Sequence, residues 1–206
     1  MDKLQKTART LDTFFKITYW FTLILNIFAV LIIALFLFFC LSAPELFGNL
    51  TDSLIRTLDF GGISFRIAES FPHQSSYGTV YFFMGLTLGT LAVTLYVLML
   101  RSIRRILAPM KEGLPFSTEV AAGFRNLGWL TTVLGILELT AVFSVDTPFK
   151  ARAYDLHALF VGDGITAVTT YYNFDFTFIL AALVLFGLSY IFHYGTELQQ
   201  LSDETL

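Results

Sequence analysis

The sequence predicts an all-α transmembrane fold, a four-helix bundle with two extracytoplasmic β-hairpins that can pair into a small sheet. Three observations predict it. Four apolar stretches are each long enough to cross a bilayer, at about 20 residues per crossing. Two connections of about 30 residues carry alternating apolar patterns around glycine turns. Lysine and arginine gather in the remaining segments, as they do on the cytosolic side of membrane proteins.

The composition agrees. The chain of 206 residues is 55% hydrophobic, 17% aromatic and only 14% charged, with a mean hydropathy of +0.69. Such a balance makes the bilayer the expected solvent and 1–206 a single integral membrane domain. A net charge of −3 argues against direct nucleic-acid binding. The single cysteine, Cys40, cannot close an internal disulfide, and no Cys/His cluster has metal-ligand spacing. No metal and no cofactor is expected. The first apolar run, 17–43, is far longer than the core of a cleavable signal and reads as a span.

In chain order, Lys3, Lys6, Arg9 and Lys16 precede the first span, about 17–41. Tyr19 and Trp20 stand at its entry, where amphipathic rings favour the interface, and Asn26 lies roughly 13 Å from the start of the span by helix rise. The outer loop 45–76 contains SLIRTLDF and ISFRIAES around Gly61-Gly62, the pattern of a hairpin. The second span, about 77–100, carries a G-x-x-x-G pair at Gly85 and Gly89. Such a pair lets helices approach closely, inside the subunit or across a homodimer.

Arg101, Arg104 and Arg105 follow on one face and snorkel to headgroups, as an orientation signal or as a contact for anionic lipid. Pro109 and Gly113 read as the end of that helix inside a cytosolic loop, 101–126. Ser117 reads as the N-cap of the third helix, with Glu119 at its positive end. The third span is about 127–145, and the outer loop 146–175 carries Gly162-Asp163-Gly164 between strand-like runs. The fourth span is about 176–192, followed by a tail without lysine or arginine. Basic residues number nine in the terminal and central segments and four in the two outer loops, which predicts both termini and 101–126 in the cytosol.

Glu138 is the one formal charge deep in a span. It reads as a proton or cation site or a switch element, as a neutral acid hydrogen-bonded to Asn26, Thr94, Tyr96 or a carbonyl, or as a residue that a register shift of the third helix brings to an interface. His73 and His157 read as surface residues of the outer loops, and His193 as a helix-end residue. No nucleophile elbow, zinc-protease helix, phosphate loop or paired-acid motif is present, so a non-enzymatic role is expected.

Two runs carry a resemblance. One is Gly113, Pro115, Phe116, Ser117, Glu119, then Phe124, Arg125, Asn126, Leu127, Gly128 and Trp129; the other is the segment 191–206, IFHYGTELQQLSDETL. With the four-span plan, they make the chain resemble an uncharacterised family of small bacterial four-helix membrane proteins. Members are often encoded beside a Cro/C1-type helix-turn-helix regulator. The resemblance implies a protein of the bacterial cytoplasmic membrane that holds or modulates such a regulator in response to an envelope signal. Its cytosolic partner face would be Lys111, Pro115, Phe116, Ser117, Glu119, Arg125, Asn126, Glu197, Asp203 and Glu204. The competing expectations are a small transporter, channel or immunity-type protein using Glu138 and Asn26, and a structural subunit of a membrane complex.

Overall fold

A computed structural model of the chain describes residues 3–45, 57–60, 63–66, 76–144 and 175–204. Four helices run through them: α1 (Lys3–Ser42), α2 (Ser76–Glu112), α3 (Thr118–Ser144) and α4 (Thr177–Glu204). All four are long and apolar enough to cross a membrane, compatible with a multi-pass membrane protein. At 1.5 Å per residue α1 is about 60 Å long, twice the ~30 Å hydrocarbon core, so part of it must lie outside lipid.

The expected fold class needs correction. Among the described residues the fold is all-α and built from four helices, and the layer of two paired β-hairpins that alternation in the long loops suggested is not seen there. What the described residues hold is one ladder of two four-residue strands, β1 (Thr57–Phe60) and β2 (Ile63–Arg66), with Thr57 opposite Arg66 and Phe60 opposite Ile63. No third strand joins it among the described residues. Two strands of this length do not make an independently stable layer. The hairpin expected within 146–175 lies outside the described residues.

The central segment also differs from expectation. Residues 101–112 continue α2, which runs through Pro109, and the connection shrinks to residues 113–117. Pro109 cannot donate to the Arg105 carbonyl and its ring crowds that carbonyl, a cost that falls on the turn before it, and the helix continues past it to Glu112. The stop is Gly113, at φ +84°, a conformation that glycine adopts without a Cβ clash. The Gly113 N–H donates to the Met110 carbonyl at 3.3 Å and the Leu114 N–H to the Pro109 carbonyl at 3.1 Å. This pair of bonds satisfies two carbonyls that a helix end leaves open.

Ser117 starts α3 as expected: its carbonyl accepts from the Val120 and Ala121 N–H groups at 3.1 and 3.3 Å, and its Oγ lies 3.4 Å from the Val120 nitrogen. At α4 the Asp175 carboxylate accepts from the Thr177 N–H at 2.8 Å. That backbone bond holds the exposed carboxyl below its ordinary range.

The chain forms two compact units. The first comprises Met1–Ile27, Leu91–Ile136 and Asp175–Leu206. Every buried apolar residue among the described ones belongs to it, including Ala8, Leu95, Ile106, Val120, Leu127, Leu134 and Ala182. Here Asn26 meets Thr94 while Asp12 meets Lys111, so α1 and α2 run antiparallel. The Ser189–Ala121 and Phe186–Trp129 pairs show the same for α3 and α4. Lipid tails give apolar helices no hydrophobic reason to associate, so close packing and polar pairs carry the association.

On α3 that packing uses glycines: a Cβ on Gly123 would collide with Ile106, one on Gly128 would sit 2.9 Å from the Phe186 ring, and one on Gly135 would fall onto Phe178. Most side chains of α1 and α4 remain exposed, with Phe21 at 68% and Leu180 at 67%, as a lipid-facing surface requires. In the second unit, Phe28–Thr90 with Leu137–Phe174, the Phe36 ring meets Phe82 edge-on at 4.9 Å.

Candidate functional site

The polar chemistry of the described residues is densest in the first unit, around the turn between α2 and α3. A fixed turn is the starting point. Its glycine stands against α1, because a Cβ on Gly113 would come within 2.9 Å of the Gln5 Nε2. Two residues earlier, at the end of α2, the Lys111 Nζ donates to the Asp12 Oδ2 at 2.6 Å, and further back the Arg104 Nε donates to Oδ1 at 3.5 Å. Arg104 and Lys111 are seven residues apart, two helical turns, which puts both on the face that Asp12 meets. The Arg104 guanidinium also lies over the Tyr19 ring, 5.6 Å from its centroid.

Asp12 precedes the uncharged run of α1 that begins at Ile17. Partial burial pushes its carboxyl up, but the Lys111 hydrogen bond and the two cationic charges outweigh that, and the group titrates below its ordinary value.

On the other side of the turn, Phe116 packs against α4. Its ring is 5.7 Å from that of Phe192, which in turn stacks on Phe124 at 5.2 Å. Gly195 makes room for this: a Cβ there would come within 2.5 Å of the Phe116 ring. The Ser189 hydroxyl donates to the Ala121 carbonyl at 2.8 Å and ties α4 to the start of α3. The runs 113–129 and 191–206 therefore touch each other. Phe116 remains 44% exposed, so its outer edge still belongs to the surface.

The partner-face residues separate into two groups. Lys111 is bound to Asp12, Ser117 caps α3, and Pro115 is half-buried, so these three build the turn. Glu119, Arg125, Asn126, Glu197 and Glu204 are exposed; the side chain of Asp203 lies outside the described residues. Glu197 stands 3.7 Å from His193, one turn back on α4. Of the three arginines grouped for lipid contact, Arg104 is taken up by Asp12, whereas Arg101 and Arg105 are exposed and have no ion pair among the described residues.

The remaining candidates part company. The Asn26 Nδ2 donates to the Thr94 Oγ1 at 3.0 Å. Glu138 is exposed and has no hydrogen bond or ion pair among the described residues. By helical periodicity it falls on the side of α3 that buries Val120, Leu127 and Leu134. Gly85 is half-buried, while Gly89 is exposed with open space where a Cβ would stand. Close packing is seen at Gly123, Gly128 and Gly135 of α3 and at Gly195 of α4.

Asp12 is the residue that sequence reasoning passed over: its partners Arg104 and Lys111 lie more than ninety residues further along the chain, so no local pattern marks it. Among the described residues no group of His, Cys, Asp and Glu could hold a metal ion. Two grooves flank α3. One of about 460 Å³ lies against α4 and includes Arg125, Tyr190 and His193; the other, about 280 Å³, lies against α2 and includes Arg101, Arg105 and Asn126. No family model, curated protein or solved structure matches this chain.

Proposed function

We propose that the chain is a non-enzymatic multi-pass protein of the bacterial cytoplasmic membrane whose cytosolic end docks a small helix-turn-helix regulator in response to an envelope signal. The observation that carries this reading is the seat of Phe116 between Phe192 and Gly195. It joins the segments 111–126 and 195–204 into one surface that a partner can read at once.

The chemistry of that surface suits such a partner. Glu112, Glu119, Glu197 and Glu204 are exposed, and the segment 195–206 has no lysine or arginine. A DNA-binding module carries a basic face, so an acidic surface attracts it and competes with phosphate for it. Tyr194, Leu198 and Leu201 are exposed at helical spacing on α4 and supply an apolar strip for a partner helix. The excess of basic residues in the terminal and central segments supports a cytosolic location for both termini.

The test is in-cell crosslinking in the native host, followed by mass spectrometry, on the parent and on a Glu119→Lys/Glu197→Lys/Glu204→Lys variant. None of these three side chains takes part in helix packing, and added lysine preserves the basic bias. A small helix-turn-helix protein captured by the parent and lost from the variant, at equal membrane levels, supports docking. Equal capture by both, or capture of membrane proteins alone, refutes it.

One observation favours a second reading. An unpaired Glu138 on an otherwise packed helix side fits a subunit of a larger membrane complex or a small transporter, in which a further chain or an ion meets the carboxylate. Glu138→Gln would then change ion or peptide sensitivity, or co-purification of other membrane subunits, with folding intact.

A further inference from the structure

We infer that the groove between α2 and α3 is a binding site for the headgroup phosphate of one anionic glycerophospholipid. Arg101 and Arg105 stand one helical turn apart on its α2 wall, and Asn126 faces them from α3. Both arginines are exposed and neither has an ion pair among the described residues. Their neighbour Arg104 differs, because Asp12 neutralises it. The groove thus holds two forked donors and an amide without a counter-charge of their own, the donor set that phosphate oxygens accept from.

The groove also changes character along its length, in the order of a phospholipid. The five-residue turn makes α2 and α3 antiparallel, so Arg105 and Asn126 lie nearer the polar turn while Leu98 and Leu130 lie further from it. Leu98 is seven residues from Arg105, about 10 Å along the helix. A headgroup seated on the arginines would therefore run its glycerol and upper acyl carbons past Trp129 and onto the two leucines. Tryptophan suits that level, where an apolar ring borders polar headgroups. A volume of about 280 Å³ accommodates a phosphate with part of a glycerol, not a whole lipid, so the chains would remain in the bilayer. Basic pockets between membrane helices bind anionic headgroups on this physical basis. The inference stands independently of the regulator reading.

The experiment uses the full chain in dodecyl maltoside, titrated with phosphatidylglycerol and read by native mass spectrometry as a one-lipid adduct. The parent should retain phosphatidylglycerol in preference to phosphatidylcholine of the same acyl chains, and millimolar inorganic phosphate should leave the adduct in place. Arg101→Gln/Arg105→Gln should weaken the first binding event about tenfold, the loss of two charge-assisted phosphate contacts partly replaced by solvent. Arg125→Gln, in the groove on the other side of α3, should change it less than about twofold. If the double variant fails to insert, Arg105→Lys keeps the charge but loses the fork, and should weaken binding several-fold. Retention in the double variant or Arg105→Lys equal to the parent's would overturn the inference. So would equal retention of phosphatidylcholine, and displacement by inorganic phosphate would reassign the groove to small free anions.

Discussion

Removing the Asp12 carboxylate is the most informative single perturbation of this fold. Asp12→Ala leaves the Lys111 ammonium and the Arg104 guanidinium beside each other with no acid between them. Losing one partner of a fully buried ion pair costs about 3–5 kcal/mol, whereas an exposed pair is worth up to about 1 kcal/mol. The Asp12 side chain is 17% exposed and those of its partners are 28% and 31% exposed, so water screens this cluster substantially. The 2.6 Å contact to Lys111 should dominate over the 3.5 Å contact to Arg104. We expect Asp12→Ala to cost about 1–2 kcal/mol, and a double-mutant cycle with Lys111→Met to give a coupling of about 1 kcal/mol. Reversible unfolding in mixed dodecyl sulfate and maltoside micelles measures both.

The pH dependence follows from the direction of the shift. The folded Asp12 carboxyl titrates below the ordinary 3.8, so its contribution is complete above that value. It is lost only as pH falls through the lower folded-state value. The coupling should therefore be the same at pH 7 and pH 5. A coupling below about 0.3 kcal/mol, or one that disappears between pH 7 and 5, would refute the argument.

The same unfolding assay tests the glycine and cap positions. Gly135→Ala puts a methyl group onto the Phe178 ring and should destabilise by about 1–3 kcal/mol. Gly89→Ala meets nothing within 4 Å and should be neutral or stabilise by roughly 0.5–1 kcal/mol; a clear loss would place a partner on that face. Gly113→Ala forces a side chain into a positive-φ position beside Gln5 and should cost at least about 1 kcal/mol. Ser117→Ala removes the α3 cap and should cost about 1 kcal/mol, and an unchanged midpoint would mean that the backbone bonds alone hold that start.

Hydropathy made the four helices legible, because twenty apolar residues in succession have few alternatives. Ser117 and Gly113 were legible for a related reason: a hydroxyl before a helix and a glycine after one each satisfy groups that the helix leaves open. The extent of α2 was not. Pro109 reads as a breaker in a linear scan, yet a proline forfeits only the bond of its own missing N–H, and α2 continues past it to Glu112. Alternation around Gly61-Gly62 falls where β1 pairs with β2, but two four-residue strands make no layer, so the pattern marked a face without the further strands that a sheet needs. Gly85 and Gly89 matched a motif, but spacing alone does not say which helix surface meets a neighbour. The glycines of α3 lack that spacing, yet the missing Cβ atoms of Gly128 and Gly135 admit aromatic rings and that of Gly123 admits Ile106. Asp12 was hidden because its role depends on Arg104 and Lys111, about ninety residues away, and no local pattern reports that distance.

The two polar contacts between α1 and α2 have a geometric consequence. An apolar helix in lipid can slide along its axis or turn about it at little cost, since one leucine-covered surface resembles the next. Asp12 and Asn26 lie fourteen residues apart on α1, about 21 Å, and grip α2 at Lys111 and Thr94 respectively. A single contact of this kind would act as a pivot. Two of them, spaced along the helix, act as dowels that set height and azimuth together. Shifting α1 by one residue at either dowel would move both hydrogen bonds about 1.5 Å out of register and swing them by about 100°.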